Sequence, residues 1–202
     1  MSLALSSALV LALANLANLA GAGYASVASS YLDRPESPGA LAAAQIAAQV
    51  SPWSGSRNAL HGWLLAENRR ADESDAAYRK ALRLAPADPL LRAEYALALA
   101  RLGRFDAALT EAVAQAQKLA PNSPAVQRSL AELGLSYWAR GSQEQRALWL
   151  TSMRYELAHS RNDFLAHALT RGQGQTFCRE MAPPLDEKKW CESMAGRLLE
   201  GV

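Results

Sequence analysis

The residues best able to do covalent chemistry in this chain are its two cysteines, Cys178 and Cys191. They flank an Ala-Pro-Pro segment at 182–184, which is predicted to form a loop. The two cysteines are about a dozen residues apart, so a disulfide between them would close only a short stretch of chain. Three interpretations stay open: a disulfide that fastens the C-terminal helix, a pair of buried free thiols, or a redox or metal site. We predict the disulfide, which requires an oxidising compartment, because there is no Cys-X-X-Cys motif and no histidine cluster beside the pair.

The other side chains with catalytic potential are scattered. His61 stands alone, and His159 and His167 are eight residues apart, which is not the spacing of two metal ligands on one helix. The acidic residues at 67–75 are predicted to form a solvated patch around a helical turn. No order of nucleophile, base and acid is present, and no glycine loop suited to phosphate. We therefore predict a protein that is not an enzyme, with no cofactor and no metal site.

Composition indicates an all-α fold. Hydrophobic residues make up 50% of the chain, much of it alanine, and aromatic residues only 7%. Helix-forming residues dominate and β-branched residues are scarce. The net charge of +2 is too balanced for a nucleic-acid-binding protein, which needs a concentrated basic face.

The N-terminal segment contains no charged side chain before Asp33. The apolar run from Leu3 to Leu19 continues weakly to Ala28, a length that matches the roughly 20 residues needed to span a bilayer. A cleaved signal peptide and a buried soluble helix are the alternatives. We predict a transmembrane anchor over residues 1–30, with membrane contact through residues 3–24, and a proline-containing linker over 31–38.

Two asparagines within this run point to a further role for it. Asn15 and Asn18 lie three residues apart, on one helical face, among small alanines. Asparagine and small residues promote association of helices inside lipid. They are therefore predicted to dock the anchor on another membrane protein, the alternative being a marginal anchor with incidental polar residues.

A ladder of prolines organises the middle of the chain. Similar segments end at Pro52, Pro86 and Pro121, in steps of 34 and 35 residues. A period near 34 that ends on proline is typical of stacked helix pairs. The ladder continues in part beyond Pro121, since the prolines at 121 and 124 repeat the spacing of those at 86 and 89.

Residues 55–88 resemble a tetratricopeptide repeat. Gly62 takes the small position of the first helix, Tyr78 the aromatic position of the second, Ala81 its small position, and Pro86 closes the unit. Arg69 stands where the family prefers glycine.

A second unit covers residues 89–121. Tyr95 and Ala96 form its large-then-small pair, Gly103 makes the turn, and Phe105 and Ala108 open the second helix. Residues 40–52 fit the second helix of a degenerate earlier unit, and Leu130 with Ala131 begins a third. The resemblance implies a short helical-hairpin solenoid over 39–141 with extra C-terminal helices over 142–202, including 143–161, 162–170 and 188–199.

The resemblance also implies a groove lined by the first helix of each hairpin. The positions that carry over are Ala59, Trp63 and Glu67 in the first unit, Leu90, Leu97 and Arg101 in the second, and Arg128, Glu132 and Leu135 in the third. Such a groove would suit an amphipathic helix or an extended apolar segment. The alternative is that Trp63 and Leu97 pack against the chain's own linker or C-terminal tail.

Proteins of this layout act as scaffolds in bacterial cell-envelope assemblies, such as polysaccharide export, pilus or secretion assembly, and cytochrome maturation. The resemblance therefore implies a non-catalytic interaction protein at the inner membrane, with its repeat domain in the periplasm and envelope proteins as partners. The alternative is a constitutive structural subunit of an integral membrane complex.

Overall fold

A computed structural model describes residues 2–30 and 37–192 of the chain, with side chains from residue 12 onward. Most of the predicted linker, residues 31–36, lies outside the described residues, as does the end of the last predicted helix, residues 193–202.

The described residues form helices joined by short turns, and no strand occurs among them, which confirms the all-α prediction. The principal helices are α1 (Ser2–Ser30), α2 (Pro38–Val50), α3 (Gly55–Glu67), α4 (Ala71–Leu84), α5 (Pro89–Arg101), α6 (Ala107–Leu119), α7 (Pro124–Tyr137), α8 (Gln143–His159) and α9 (Arg161–Thr170). A 3₁₀ turn, Trp138–Arg140, follows α7. The C-terminal elements are α10 (Gly174–Thr176), a π-helical turn (Phe177–Met181) and α11 (Ala182–Leu185).

The prolines of the ladder end helices in one repeated geometry. Ser51, Ala85 and Ala120 each precede a ladder proline, with φ of −131°, −136° and −144° and ψ of 68°, 68° and 67°. Each still donates its N–H to a helical carbonyl four residues back. The residue before proline disfavours helical geometry, so the ladder stops α2, α4 and α6 at equivalent points.

Two tight turns adopt the left-handed backbone that favours glycine. Arg69 has φ of 59°, at the position where the repeat family prefers glycine, and Gly103 has φ of 81°. The turn between α3 and α4 thus has the same backbone requirement as the turn after α5, although its sequence departs from the pattern.

The chain divides into two compact units, Met1–Arg104 and Phe105–Val202. The boundary falls between α5 and α6, inside the predicted second hairpin.

In the first unit, α1 packs along α2, α2 on α3, and α3 on both α4 and α5. Its alanine-rich core joins α1, α2 and α3 and comprises Ala28, Ala40, Ala43, Ala44 and Leu64. Small side chains let these helices approach closely. Helix α1 therefore forms a helical pair with α2, the segment for which the sequence indicated only one helix.

The α3–α4 crossing depends on Gly62. A Cβ added there would lie 2.8 Å from Cδ2 of Tyr78, whose ring is completely buried. The hydroxyl of Ser74 donates to the Gly62 carbonyl at 2.8 Å. The small residue of α3 and the aromatic residue of α4 therefore meet at the crossing of the two helices.

Asp75 ties α4 to α5 and to the turn that follows. Its carboxylate accepts hydrogen bonds from Tyr95, from Arg79 Nε at 2.7 Å and from Arg104 Nη1 at 3.0 Å. Burial would raise the pKa of Asp75, but these hydrogen bonds and positive charges outweigh it and hold the pKa below its ordinary value.

In the second unit, α8 packs against α6, α7, α9 and α11. A polar network crosses three helices: Gln117 Nε2 donates to Ser152 Oγ at 2.8 Å, and Ser152 Oγ donates to Gln127 Oε1 at 2.6 Å. Ser142 and Gln145 form a capping box at the start of α8. These contacts fix the rotation of α8 about its axis. They therefore also fix which way the side chains of its C-terminal half face.

No helix within the described part of the chain is both long enough and apolar enough to cross a membrane, so the structure gives the predicted transmembrane anchor no support. The side chains of residues 3–11, the most apolar part of that prediction, lie outside the described residues. Asparagine, glycine and serine lower the hydropathy of the rest of α1.

The C-terminal segment differs from its prediction at one point. Residues 182–184 were expected to form a loop, but Ala182–Leu185 is helical, with the prolines in its first turn. Proline is tolerated there because the first N–H groups of a helix have no intrahelical partner.

Candidate functional site

The second unit contains a concave site of about 250 Å³ between α7, α8 and α9. We call it the α7–α8–α9 cleft. It is lined by Arg128, Glu132 and Leu135 from α7, Glu156 from α8, and Asp163, Phe164 and His167 from α9. The three α7 residues are the groove positions that the repeat resemblance predicts for the third unit.

The interior of the cleft is part apolar and part acidic. Leu135 and Phe164 are buried, with 1% and 5% of their surfaces exposed. Glu156 is only 3% exposed, and its Oε2 lies 3.7 Å from Nε of Arg128. Arg128 itself keeps 66% of its side chain exposed. The cleft therefore places a buried carboxylate behind a solvated arginine.

The rim carries charges of both signs. Glu132 forms an ion pair with Arg171, and His167 Nε2 lies 3.8 Å from Glu132 Oε1. Asp163 is exposed, in the first turn of α9, where the helix dipole favours a negative charge. Among the described residues, no group of three or more His, Cys, Asp or Glu side chains is arranged to hold a metal ion.

The predicted groove residues that lie in the compact unit Met1–Arg104 are partly covered by other parts of the chain. Ala59 is buried, and Trp63 packs against the core of Ala28, Ala40 and Leu64. Trp63 thus lies against the chain's own helices α1 and α2. Leu97 is half-buried and Leu90 remains 39% exposed.

The two charged groove residues of this compact unit, Glu67 and Arg101, form an ion pair with each other. Arg101 donates to Glu67, and its own carbonyl accepts from Arg69 Nη1 at 2.7 Å. A ligand that used either charge would have to break this pair, so the first unit offers a partner less free charge than the sequence suggests.

The two asparagines of α1 have different surroundings. Asn18 Oδ1 accepts from Trp53 Nε1 at 3.2 Å and from Arg57 Nη1 at 3.3 Å, and its carbonyl accepts from Arg57 Nη2 at 2.8 Å. Asn15 is exposed. Asn18 therefore joins α1 to the chain's own α2–α3 turn and to α3. The docking of Asn15 and Asn18 on another membrane protein stays a prediction.

Replacing Asn18 by alanine is expected to loosen α1. Trp53 and Arg57 lose a side-chain acceptor, worth about 1 kcal/mol, so amide exchange in residues 12–30 should accelerate by about fivefold. Hydrogen–deuterium exchange of the full chain measures this. Asn15→Ala is the matched control and should leave exchange unchanged; equal acceleration in both variants would contradict the assigned contacts.

The cysteines are joined. The structure has a disulfide between Cys178 and Cys191, with the Cα atoms 5.5 Å apart, and the described residues contain no free cysteine. The bond links the π-helical turn to the helical residues at 188–192.

Sequence reasoning missed the α8 and α9 side of the cleft. Glu156 has a detectable signal, because it falls on the buried face of α8 with Trp149, Ser152 and Met153, where a carboxylate is out of place. In the sequence, His167 is one of three scattered histidines and has no ligand partner at helical spacing. Its approach to Glu132 depends on how α9 packs, which neither spacing nor composition reveals.

No model of a known protein family matches the sequence, and no curated protein matches it at a significant level.

Proposed function

We propose that this chain is a non-catalytic protein–protein interaction module, and that the α7–α8–α9 cleft is where it meets its partner. The observation that carries the proposal is the cleft itself, a concave surface with a buried carboxylate on a helix-hairpin scaffold. The equivalent helix ends at Ser51, Ala85 and Ala120 support a scaffold of the tetratricopeptide type. Scaffolds of stacked hairpins present concave surfaces of this kind to partners.

The module is placed at the bacterial inner membrane, with its helical units in the periplasm, where it recruits or stabilises components of a cell-envelope assembly. Two observations support this placement. The first 32 residues carry no charge, and the Cys178–Cys191 disulfide requires an oxidising compartment to persist.

A second candidate function is a constitutive subunit of a membrane complex. The outer face of α1 favours it, because Leu13, Leu16, Leu19 and Val27 are 57%, 62%, 71% and 48% exposed. A continuous apolar face of this kind marks a surface that is covered in an assembly.

Site-specific photocrosslinking tests the proposal. A benzophenone amino acid replaces Asp163 at the rim of the cleft, and in the control it replaces Glu111 on an exposed face of α6. The full chain is expressed in its source cells and irradiated. We expect a crosslinked envelope protein from position 163 and none from position 111. The same product from both positions, or none from 163, would contradict the assignment of the cleft.

The crosslinked partner then separates the two candidates. In cells that lack it, an interaction module keeps its normal abundance, because its core is complete. A constitutive subunit is degraded, because its apolar face is left uncovered. Pulse-chase measurement of the chain's half-life makes the distinction.

A further inference from the structure

Glu156 has fewer partners than a buried carboxylate requires. It is 3% exposed, and its carboxylate accepts no hydrogen bond from the residues that the structure describes. Within residues 12–30 and 37–192, the one cation near it is Arg128, whose Nε lies 3.7 Å from Glu156 Oε2, beyond hydrogen-bonding distance. Burying a carboxylate is costly unless it is paired and hydrogen-bonded. Glu156 therefore retains the capacity to bind a better-placed cation.

Arg128 is held loosely enough to give way. Its side chain is 66% exposed, and it offers Glu156 its single Nε instead of the two-pronged end of the guanidinium, the geometry that makes arginine–carboxylate pairs strong. Moving Arg128 aside costs little, because most of its side chain is already in water and the incoming cation pairs with the charge of Glu156 in its place. It occupies the entrance without satisfying the carboxylate behind it.

The rest of the cleft suits a cation on an alkyl chain. Asp163 adds an exposed negative charge at the rim, and Leu135 and Phe164 provide apolar surface beside Glu156. The volume of about 250 Å³ is below the range of typical small-molecule sites, roughly 300–1,000 Å³, and is appropriate to one long side chain. An alkyl stem would lie along Leu135 and Phe164 while its charged end reached the carboxylate.

We propose that the α7–α8–α9 cleft receives one lysine or arginine side chain of the partner protein, whose cationic end displaces Arg128 and binds Glu156. The inference rests on the proposed function at one point only, which is that the cation belongs to a protein partner. Charge and shape together specify the ligand: an uncharged chain of the same length leaves Glu156 unpaired, and an inorganic cation makes no use of the apolar wall.

The test uses the side chains alone. Titrating the ¹⁵N-labelled full chain with n-butylammonium and n-propylguanidinium, the analogues of the lysine and arginine side chains, should shift amide resonances of α7, α8 and α9 in a saturable way. Dissociation constants on the order of 1 mM are expected for ligands this small. Butan-1-ol is the uncharged control, and magnesium chloride at matched ionic strength is the inorganic one.

Two substitutions should act in opposite directions. Glu156→Gln keeps the shape and removes the charge, so it should weaken binding by roughly tenfold or more. Arg128→Ala removes the internal competitor and should strengthen binding by about threefold. Glu111→Gln, on α6, is the matched control and should have no effect. If Glu156→Gln does not fold, as judged by its spectrum, Arg128→Ala still decides the question.

Binding that is unchanged in Glu156→Gln and Arg128→Ala would overturn the proposal, as would the absence of saturable shifts. Equal shifts with magnesium would assign the site to inorganic cations and overturn it too. These outcomes are independent of the photocrosslinking result. Glu156-dependent binding of the analogues without any crosslinked protein would reject the protein partner, whereas a crosslink without such binding would reject the basic side chain.

Discussion

Breaking the Cys178–Cys191 disulfide is expected to lower the free energy of unfolding of the second unit by roughly 3 kcal/mol, the chain-entropy value for a closed loop of this length. The loop includes Met181 and Leu185, which are buried, and just before it Phe177 packs edge-on to Phe164 of the cleft with ring centroids 6.1 Å apart. Without the bond, this segment must hold its place through packing, the Arg161–Glu187 ion pair and the hydrogen bond that Arg154 Nη2 donates to the Pro184 carbonyl at 3.1 Å.

Urea denaturation of the full chain with and without reductant measures the effect. Reductant acts at one place only, because the sequence has 2 cysteines and both are in this bond. Cys178→Ser/Cys191→Ser should match the reduced protein and be indifferent to reductant. A reduced protein as stable as the oxidised one would mean that the C-terminal segment is ordered by packing, and would remove the physical reason for placing the domain in an oxidising compartment.

The consequence for the cleft can be measured in the same samples. Phe164 contacts Phe177 on one side and lines the cleft on the other, so loosening the segment should affect α9 before α7. Hydrogen exchange should accelerate at residues 161–170 more than at 124–137. Equal acceleration would indicate that the unit opens as a whole.

The prolines and glycines at helix ends were sufficient to predict most helix boundaries from the sequence. The ladder prolines end α2, α4 and α6, Gly103 makes its turn with a positive φ, and the predicted helix at 162–170 corresponds to α9. These features depend on a few adjacent residues, such as the pre-proline restriction and the glycine-specific turn. These helix ends can therefore be predicted without knowledge of the contacts between helices.

The role of α1 could not be read in the same way. A charge-free helix with Ala17, Gly21 and Ala28 along one side fits a membrane helix and a close-packed soluble hairpin equally well. The structure adds a long-range contact that the sequence does not reveal: a Cβ added at Gly21 would lie 2.6 Å from both Ser51 Oγ and Arg57 Nη1. Small-residue faces carry no information about which partner they accept.

Some of the predicted groove residues contact one another within the chain, and others line an open cleft. Glu67 and Arg101 pair with each other across α3 and α5, whereas Arg128 and Glu132 meet side chains from α8 and α9 to form the cleft. The repeat pattern fades after residue 141, so it could not supply that second side. Glu156 and Phe164 come from helices that follow no repeat, and only the packing brings them to α7.

Replacing Trp149 by alanine is expected to produce the largest loss of stability of any single substitution in the second unit, about 3–5 kcal/mol. Trp149 is completely buried and is one of the largest side chains in the core. It lies against Gly134 of α7 and Gly141 of the turn before α8, where an added Cβ would collide with its ring or its Cβ. Removing the indole leaves a cavity between α7 and α8 that two glycines cannot fill.

The matched control is Trp53→Ala, which removes an indole that is 50% exposed in the first unit and should cost far less. Trp149→Phe is the second control. The indole N–H of Trp149 has no hydrogen-bond partner in the described structure, so phenylalanine loses volume but also removes an unsatisfied donor. Free energies of unfolding should therefore rank wild type, Trp149→Phe and Trp149→Ala in descending order.

A double-mutant cycle tests the cause. At Gly141 an added Cβ would lie 2.3 Å from Cζ3 and 2.4 Å from Cη2 of Trp149, so Gly141→Ala alone should destabilise the unit through overpacking. In the Trp149→Ala background the same methyl group enters vacated space, and its cost should fall or reverse in sign. Additive effects would show that the two residues are not in contact. Trp149 and Glu156 share the buried face of α8, so the contacts that hold Trp149 also set the rotation of the helix that presents Glu156 to the cleft.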